Sequence, residues 1–290
     1  MKYIPVQETI PQSKRQEFNE KIVYLIDSDT AVGAGITKED IYNAYTGDGG
    51  LHGLERSMFD SYAKYSEAKK EVENGQFFTP PYLCKFITDC LQVDKEDVVA
   101  DLTFGMGSFF NFMPSEANLY GCEIDTKAYK VAHYLYPAAN LENKDIRLYQ
   151  PPMRFDIVVG NPPFNLRWWI EDKKEMPSQL YYCQKAAELL KPLGILALIV
   201  PMSFLADDFT DSGAIAEMER QFSFLGQLAL PEDAFSEIGV AAFPIKLQFW
   251  QKIAEIKGWT PNRYYAEVTP VQPSDCYNEQ FAKQIYVNML

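Results

Sequence analysis

Residues 161–164 read Asn161-Pro162-Pro163-Phe164 and directly follow the apolar run FDIVVG (155–160). Two prolines fix the backbone after a strand and deny it further ladder hydrogen bonds. Such a turn can hold the side-chain oxygen of Asn161 and the carbonyl of Pro162 so that both accept hydrogen bonds from one planar NH2 group. Phe164 can stack on the ring that carries that group. Paired acceptors draw the amino nitrogen toward tetrahedral geometry and free its lone pair for in-line attack on a sulfonium methyl group. This chemistry works by proximity and electrostatics and needs no strong base. A plain proline turn is the simpler alternative; the aromatic and the strand-like run before it speak for the chemistry.

Upstream, DLTFGMGSFF (101–110) begins at Asp101, at the end of the apolar run VVADL (98–102). Gly105 and Gly107 permit a tight turn that brings the backbone close to a ligand, and a helix opening after them can offer N–H groups to a carboxylate. On its own, a Gly-x-Gly pair fits an ordinary turn equally well. A dinucleotide fingerprint fits poorly, because Phe110 stands where its third glycine belongs. One strand later, GCEID places Glu123 eighteen residues after Gly105. A carboxylate there can accept both hydroxyl protons of a ribose. Alone it reads as a solvated acid at a strand end; with the loop before it, the pair points to an adenosine-containing cofactor.

These residues need a frame. From Gly75 onward, short apolar runs bounded by Gly, Pro and Asp alternate with helical stretches, the sequence form of a parallel sheet with crossover helices. Strands are expected at 98–102, 118–124, weakly near NLENKD, and at 155–160, 194–200, 224–230 and 243–250. Helices are expected over 80–91, 125–135, 178–191 and 212–221. That is a doubly wound, mostly parallel, seven-stranded α/β fold, with its ligand beyond the carboxyl ends of the central strands where strand order reverses. Residues 1–73 read as a helical N-terminal segment: RQEFNEKIVYLI has helical apolar spacing, a Gly-rich stretch surrounds TGDGGLHG, and ERSMFDSYAKYSEAKKEVE resumes a helix. The expected division is thus 1–73, a catalytic domain over 74–252, and a C-terminal extension over 253–290. The extension carries Trp259, Tyr264, Tyr265 and Tyr277 with little periodicity, as a wrapping segment or the beginning of something further.

Over residues 73–252 the chain resembles the N6-adenine DNA methyltransferases in which the cofactor motifs precede the catalytic one, as in type I restriction methylation subunits. GQFFTPP (75–81) is similar to the family's leading motif, which implies that Thr79 and Pro80 contact S-adenosylmethionine. DLTFGMGSFF matches its glycine loop, GCEID its ribose-binding acid and NPPF its catalytic tetrapeptide. The resemblance implies a class I, Rossmann-like methyltransferase fold and transfer of a methyl group to N6 of a flipped-out adenine in DNA. Asp145, sixteen residues before Asn161, falls where the family places the acid that reads the cofactor's adenine amino group, although it follows Lys144 instead of the common glycine. LPEDAFSEIGVAAFPIKLQFW resembles the last motif and implies that Phe243 helps enclose the base; a core aromatic is the equal alternative. AYTGDGGLHGL is similar to the lead-in of methylase–helicase proteins of phages and mobile elements.

Composition sets the limits. With 27 basic and 40 acidic residues, the net charge of −13 is unusual for a protein that grips phosphates unaided. A separate specificity subunit, or a domain not visible here, is therefore an expected partner. Two histidines and five cysteines without CxxC spacing make a metal site, a zinc ribbon or a Ser/His/Asp triad a poor fit. No apolar run approaches membrane-spanning length and the start lacks a signal peptide's apolar region, so a cytoplasmic protein is expected. Arg167, Trp168 and Trp169 can touch the displaced strand or simply cover the catalytic turn. Two other readings stay open. One is an amino-group acceptor other than adenine, such as guanine N2 in ribosomal RNA or protein glutamine. The other is a cofactor-binding subunit that acts only with a partner.

Overall fold

Apolar runs without polar alternation must be covered on both faces, and those of this chain form the centre of one sheet. The computed structural model describes residues 1–6, 10, 12–47, 60–65, 77–164, 166–170, 174–206, 212–236, 243–254 and 269–289. In chain order the elements are helices α1 (Gln12–Asp27), α2 (Lys38–Ala44) and α3 (Pro81–Leu91), strands β1 (Val99–Asp101) and β2 (Leu119–Glu123), helix α4 (Thr126–Leu135), and strands β3 (Asn140–Asn143), β4 (Phe155–Gly160), β5 (Arg167–Ile170) and β6 (Lys174–Pro177). Helix α5 (Ser178–Leu189), strand β7 (Leu190–Pro201), helix α6 (Ser212–Gln221), strands β8 (Phe222–Ala229), β9 (Ile245–Lys252) and β10 (Thr269–Pro270), and helix α7 (Glu279–Met289) follow.

The large sheet has the order β10-β8-β9-β7-β4-β1-β2-β3. Strands β3, β2, β1, β4 and β7 run parallel, and β9 is antiparallel to both β7 and β8. The chain moves outward from β1 through β2 to β3, then returns to lay β4 on the other side of β1. That reversal opens a crevice beyond the carboxyl ends of β1 and β4. Alternate residues face two cores: Ile157, Val159, Ile199, Leu247 and Phe249 with α3, α4 and α7, and Val158, Leu198, Val200 and Trp250 with α5 and α6. The fold is that of the class I S-adenosylmethionine-dependent methyltransferases, as the sequence resemblance implies.

The structure corrects the sequence reading in four places. The sheet has eight strands where seven are expected, because β10 is a two-residue edge strand containing Pro270, too short to carry a period. The β5–β6 hairpin, a separate two-stranded sheet directly after the 161–164 turn, is not anticipated. Helix α5 stops at Leu189, two residues early, since Lys191 precedes Pro192 and is disfavoured in helical geometry. The tail is not aperiodic: α7 lays Phe281 on Phe86 of α3 (ring centroids 6.3 Å), Tyr277 stacks on Tyr82 (5.5 Å), and Glu279 pairs with Lys85 at 3.1 Å. Its described part packs on α3.

The expected lead-in helix is α1, which packs on α4 and pairs Asp27 with Lys130 at 2.7 Å. Most of the Gly-rich stretch and of the helix expected over 55–73 lies outside the described residues. Among the described residues no helix is long and apolar enough to cross a membrane.

Candidate active site

Strand β4 delivers Asn161 to the crevice. Its side-chain Nδ2 donates to the carbonyl of Phe77 at 3.1 Å. A carbonyl can only accept, so this bond fixes the amide with Oδ1 turned the other way. One residue beyond the next proline, the carbonyl of Pro163 accepts from the Ser178 hydroxyl at 2.5 Å, and the Ser178 N–H donates to the carbonyl of Leu166 at 2.9 Å. Helix α5 thus clamps the turn from behind. Among the described residues no hydrogen bond reaches Asn161 Oδ1 or the Pro162 carbonyl, the two acceptors that the sequence singles out.

Phe164 and Phe243 face each other with ring centroids 6.1 Å apart and planes within 23°. The N–H of Phe243 donates to the carbonyl of Glu232 at 3.1 Å, tying the segment before β9 to the turn after β8. Residues 237–242 of that last motif lie outside the described residues. Phe243 is 38% exposed, so it is not the core aromatic that the sequence leaves open as its alternative.

The glycine loop begins at the end of β1. Gly105 (φ +57°) and Gly107 (φ +80°) both have left-handed backbone, and a Cβ on Gly105 would lie 2.6 Å from the Phe78 ring. The Gly105 N–H donates to Glu123 Oε2 at 2.8 Å, while Oε1 accepts from the Asp125 N–H at 2.8 Å. Each carboxylate oxygen keeps a lone pair for another donor. Glu123 is almost fully buried, and burial raises its pKa, opposed by the N–H groups of Asp125 and Gly105. Ile124 beside it is 67% exposed and offers an apolar face at the mouth of the site.

Phe77 and Phe78 lead into Thr79 and Pro80, which are buried at the start of α3. One segment therefore touches both the glycine loop, through Phe78, and Asn161, through Phe77. Asp145 comes to the same edge of the sheet, after β3, but its carboxylate is bonded to Arg147: Nε lies 2.9 and 3.0 Å from its two oxygens. The hydrogen bond from Arg147 holds its carboxyl below the usual range. Arg167 bonds Glu175 across the hairpin at 3.0 Å. Trp168 packs edge-on to Tyr181 of α5. The side chain of Trp169 lies outside the described residues.

Tyr182 of α5 carries no signal in the sequence, yet it sits between β1 and β4. Its hydroxyl accepts the Leu102 N–H (3.0 Å), donates to the Val159 carbonyl (2.9 Å) and lies 3.4 Å from Asp101 Oδ1. A Cβ on Gly160 would meet that hydroxyl at 2.2 Å, which explains the glycine before Asn161. Asp101 is buried, and burial raises its carboxyl from 3.8 to about 7, with the Thr103 N–H opposing and Glu123 adding.

A folded pKa above the unfolded one stabilises the protonated protein, so this contribution is complete below pH 3.8 and is lost as pH rises through about 7. Asp101→Asn lacks the titration. Its melting temperature without ligand is expected to gain roughly 5 °C on the parent between about pH 5 and 8. Parallel melting curves for the two proteins across that range would refute the assignment.

Comparison with known proteins identifies the family. A family model described as N-6 DNA methylase matches residues 58–242. The methylase subunit of the type I restriction enzyme MjaIX of Methanocaldococcus jannaschii is 32% identical over 123 residues, covering 37% of this chain and 22% of that protein. The type II methyltransferase M.HincII of Haemophilus influenzae is 24% identical over 169 residues, covering 54% of this chain and 32% of that protein. The match thus spans a third or less of these relatives. Among solved structures, the methyltransferase subunit of a type I restriction-modification system from Streptococcus thermophilus superposes with a TM-score of 0.53 at 16% identity, over 92% of this chain and 74% of that one.

Proposed function

Because the chain belongs to the N-6 DNA methylase family, we propose that it transfers a methyl group from S-adenosylmethionine to N6 of an adenine flipped out of DNA. The observation that carries this reading is the pattern of occupied and open hydrogen-bonding groups at the catalytic turn. Asn161 Nδ2 and the Pro163 carbonyl are committed to the protein, while Asn161 Oδ1 and the Pro162 carbonyl stay open for one amino group.

The residues present fit the cofactor: an anchored Glu123 carboxylate with free lone pairs, left-handed glycines at 105 and 107, the exposed Ile124 and the buried Asp101. Thr79, Pro80 and Asp145 complete the assigned set. When bound, S-adenosylmethionine supplies a methyl carbon on a positively charged sulfur. Asn161 and Pro162 accept both N–H bonds of the amino group and turn its lone pair outward. Phe164 and Phe243 hold the ring between them, which needs the pair to open by somewhat less than 1 Å from its 6.1 Å spacing. The nitrogen gains the methyl group and loses a proton to water, so no strong base is required. Unpaired adenine must leave the stack to reach this turn.

A second reading concerns autonomy. A net charge of −13 favours dependence on a specificity subunit for the grip on DNA. Residues 74–252 are then the catalytic unit of a larger assembly. The test is transfer of labelled methyl to mixed-sequence unmethylated DNA, followed by nucleoside analysis. N6-methyladenine is the expected product. Label on guanine, with none on adenine, would overturn the proposal.

A further inference from the structure

A row of aromatic rings backs the glycine loop. Phe104 packs on Phe110 (ring centroids 5.7 Å), Phe110 edge-on to Tyr136 (5.7 Å), Tyr136 edge-on to Tyr3 (5.8 Å), and Tyr3 stacks on Tyr42 of α2 (5.4 Å). Gly107 is set into that row: a Cβ there would lie 2.7 Å from the Phe110 ring and 2.9 Å from the Tyr136 ring. The shape of the loop thus depends on where these two rings stand. Tyr136 is in turn backed by Tyr3, more than a hundred residues away in sequence.

Tyr3 belongs to a segment, residues 2–6, that lies outside any helix or strand and is bound much as a peptide ligand would be. Asn111, fully buried directly after the glycine loop, reads its backbone. The side-chain oxygen accepts the N–H groups of Lys2 (3.0 Å) and Tyr3 (2.6 Å), and Nδ2 donates to the Tyr3 carbonyl (2.9 Å). Asn43 of α2 repeats the device further along: it accepts the Val6 N–H and donates to the Ile4 carbonyl, both at 3.0 Å. A buried amide whose bonds all go to one segment is costly to leave unpaired, so Asn111 and the segment stay together. Tyr3 is the buried anchor, its hydroxyl donating to the Leu135 carbonyl at 2.5 Å, whereas Ile4 and Val6 are exposed.

We infer that Tyr3 and Asn111 are positioning residues of the cofactor site: residues 2–6 form a strap that, through Tyr136 and Phe110, holds the glycine loop in the form that receives S-adenosylmethionine. The inference rests on the assignment of that loop to the cofactor made above. It separates cofactor binding from the chemical step, because Asn161 is oriented by Phe77 and its turn is held by Ser178.

The test is calorimetric titration of the full chain with S-adenosylmethionine, accompanied by amide exchange and by single-turnover methyl transfer at saturating cofactor. Tyr3→Ala removes the anchor; leaving the loop formed in about a tenth of the molecules lowers apparent affinity about tenfold, with the saturated rate kept within about twofold. Exchange of amides 105–112 should accelerate while that of 155–160 does not. Asn43→Ala, which loosens only the outer end of the strap, should weaken binding in the same direction by about two- to threefold. Tyr3→Phe keeps the ring and should restore most of the affinity. Tyr136→Phe loses only a hydroxyl that has no partner among the described residues, and should bind as the wild type does. Unchanged cofactor affinity in Tyr3→Ala overturns the inference. Faster exchange at 155–160 as well as at 105–112 also overturns it, since that marks a general loosening of the fold. If the wild type methylates DNA and Tyr3→Ala binds the cofactor normally, the strap fails and the reaction stands. If no DNA is methylated but cofactor affinity falls in Tyr3→Ala and returns in Tyr3→Phe, the strap stands and the reaction fails. A wild type that binds no S-adenosylmethionine overturns both.

Discussion

Asn161→Ala is expected to lower the rate of methyl transfer by at least about 10²–10³-fold, the cost of removing one preorganised polar group aimed at the transition state. Affinity for S-adenosylmethionine should barely change, because the residue faces the turn and not the glycine loop. Asn161→Asp tests the geometry more sharply. The carbonyl of Phe77 stands 3.1 Å from Nδ2, and an aspartate would put a carboxylate oxygen against it. Two acceptors repel, so the variant is expected to be poor at neutral pH. A neutral acid can donate to Phe77 and present its other oxygen to the substrate, so activity should rise as pH falls through the raised carboxyl pKa. Asn161→Ala has nothing to titrate there and should show no such rise. Single-turnover rates for the three proteins across the pH range check this, and equal pH profiles for Ala and Asp would show that Phe77 does not orient the amide.

How much of this was legible depends on where the information lies. Strand β4 and the turn after it are written in side chains: an apolar run that must be buried on both faces, then two prolines that end it. The Gly105–Glu123 pair is legible for the same reason, since a left-handed turn selects glycine and two converging backbone N–H groups select a carboxylate. What the sequence hides is carried by backbone or by register. Phe77 acts through its carbonyl, which any residue could supply. Tyr182 is one of two adjacent tyrosines on an amphipathic helix, and only the packing of α5 across β1 and β4 selects it over Tyr181. Ser178 holds the Pro163 carbonyl from a position that reads as an ordinary helix start. The hairpin escapes because four-residue strands show barely two alternations. In the tail, Phe281, Ala282 and Ile285 do have helical spacing, but eleven residues of moderate polarity carry a weak pattern until α3 is there to receive them.

These hidden contacts share a direction. The Phe77–Phe78 segment ties the glycine loop to Asn161, and α5 ties the 161–164 turn to β1 through Tyr182. Glycine loop and Asn161 turn are therefore parts of one packed unit. A change at one is felt at the other only if it breaks these ties, which is why a substitution confined to the cofactor side is the informative complement to Asn161.

Glu123→Gln is that substitution. The carboxylate accepts one backbone N–H on each oxygen, from Gly105 and from Asp125, both at 2.8 Å. A glutamine can serve only one of them, because its NH2 end would face the other donor. Hydrogen bonds to a charged group contribute roughly 1.5–3 kcal/mol each, and the loop that carries Gly105 loses its anchor. The amide also has a single acceptor left for two ribose hydroxyls. Affinity for S-adenosylmethionine is expected to fall about 10–100-fold, with exchange of the amides of residues 103–108 accelerated. In the wild type, affinity should also fall as pH drops through the burial-raised pKa of Glu123, because protonation removes the acceptor; in Glu123→Gln that part of the pH dependence should vanish, leaving only what Asp101 contributes. The two readouts separate two roles. Faster exchange with affinity kept within about threefold would leave Glu123 as the anchor of the glycine loop and remove it from the ribose; a full loss of affinity with the loop still protected would place it on the ribose alone.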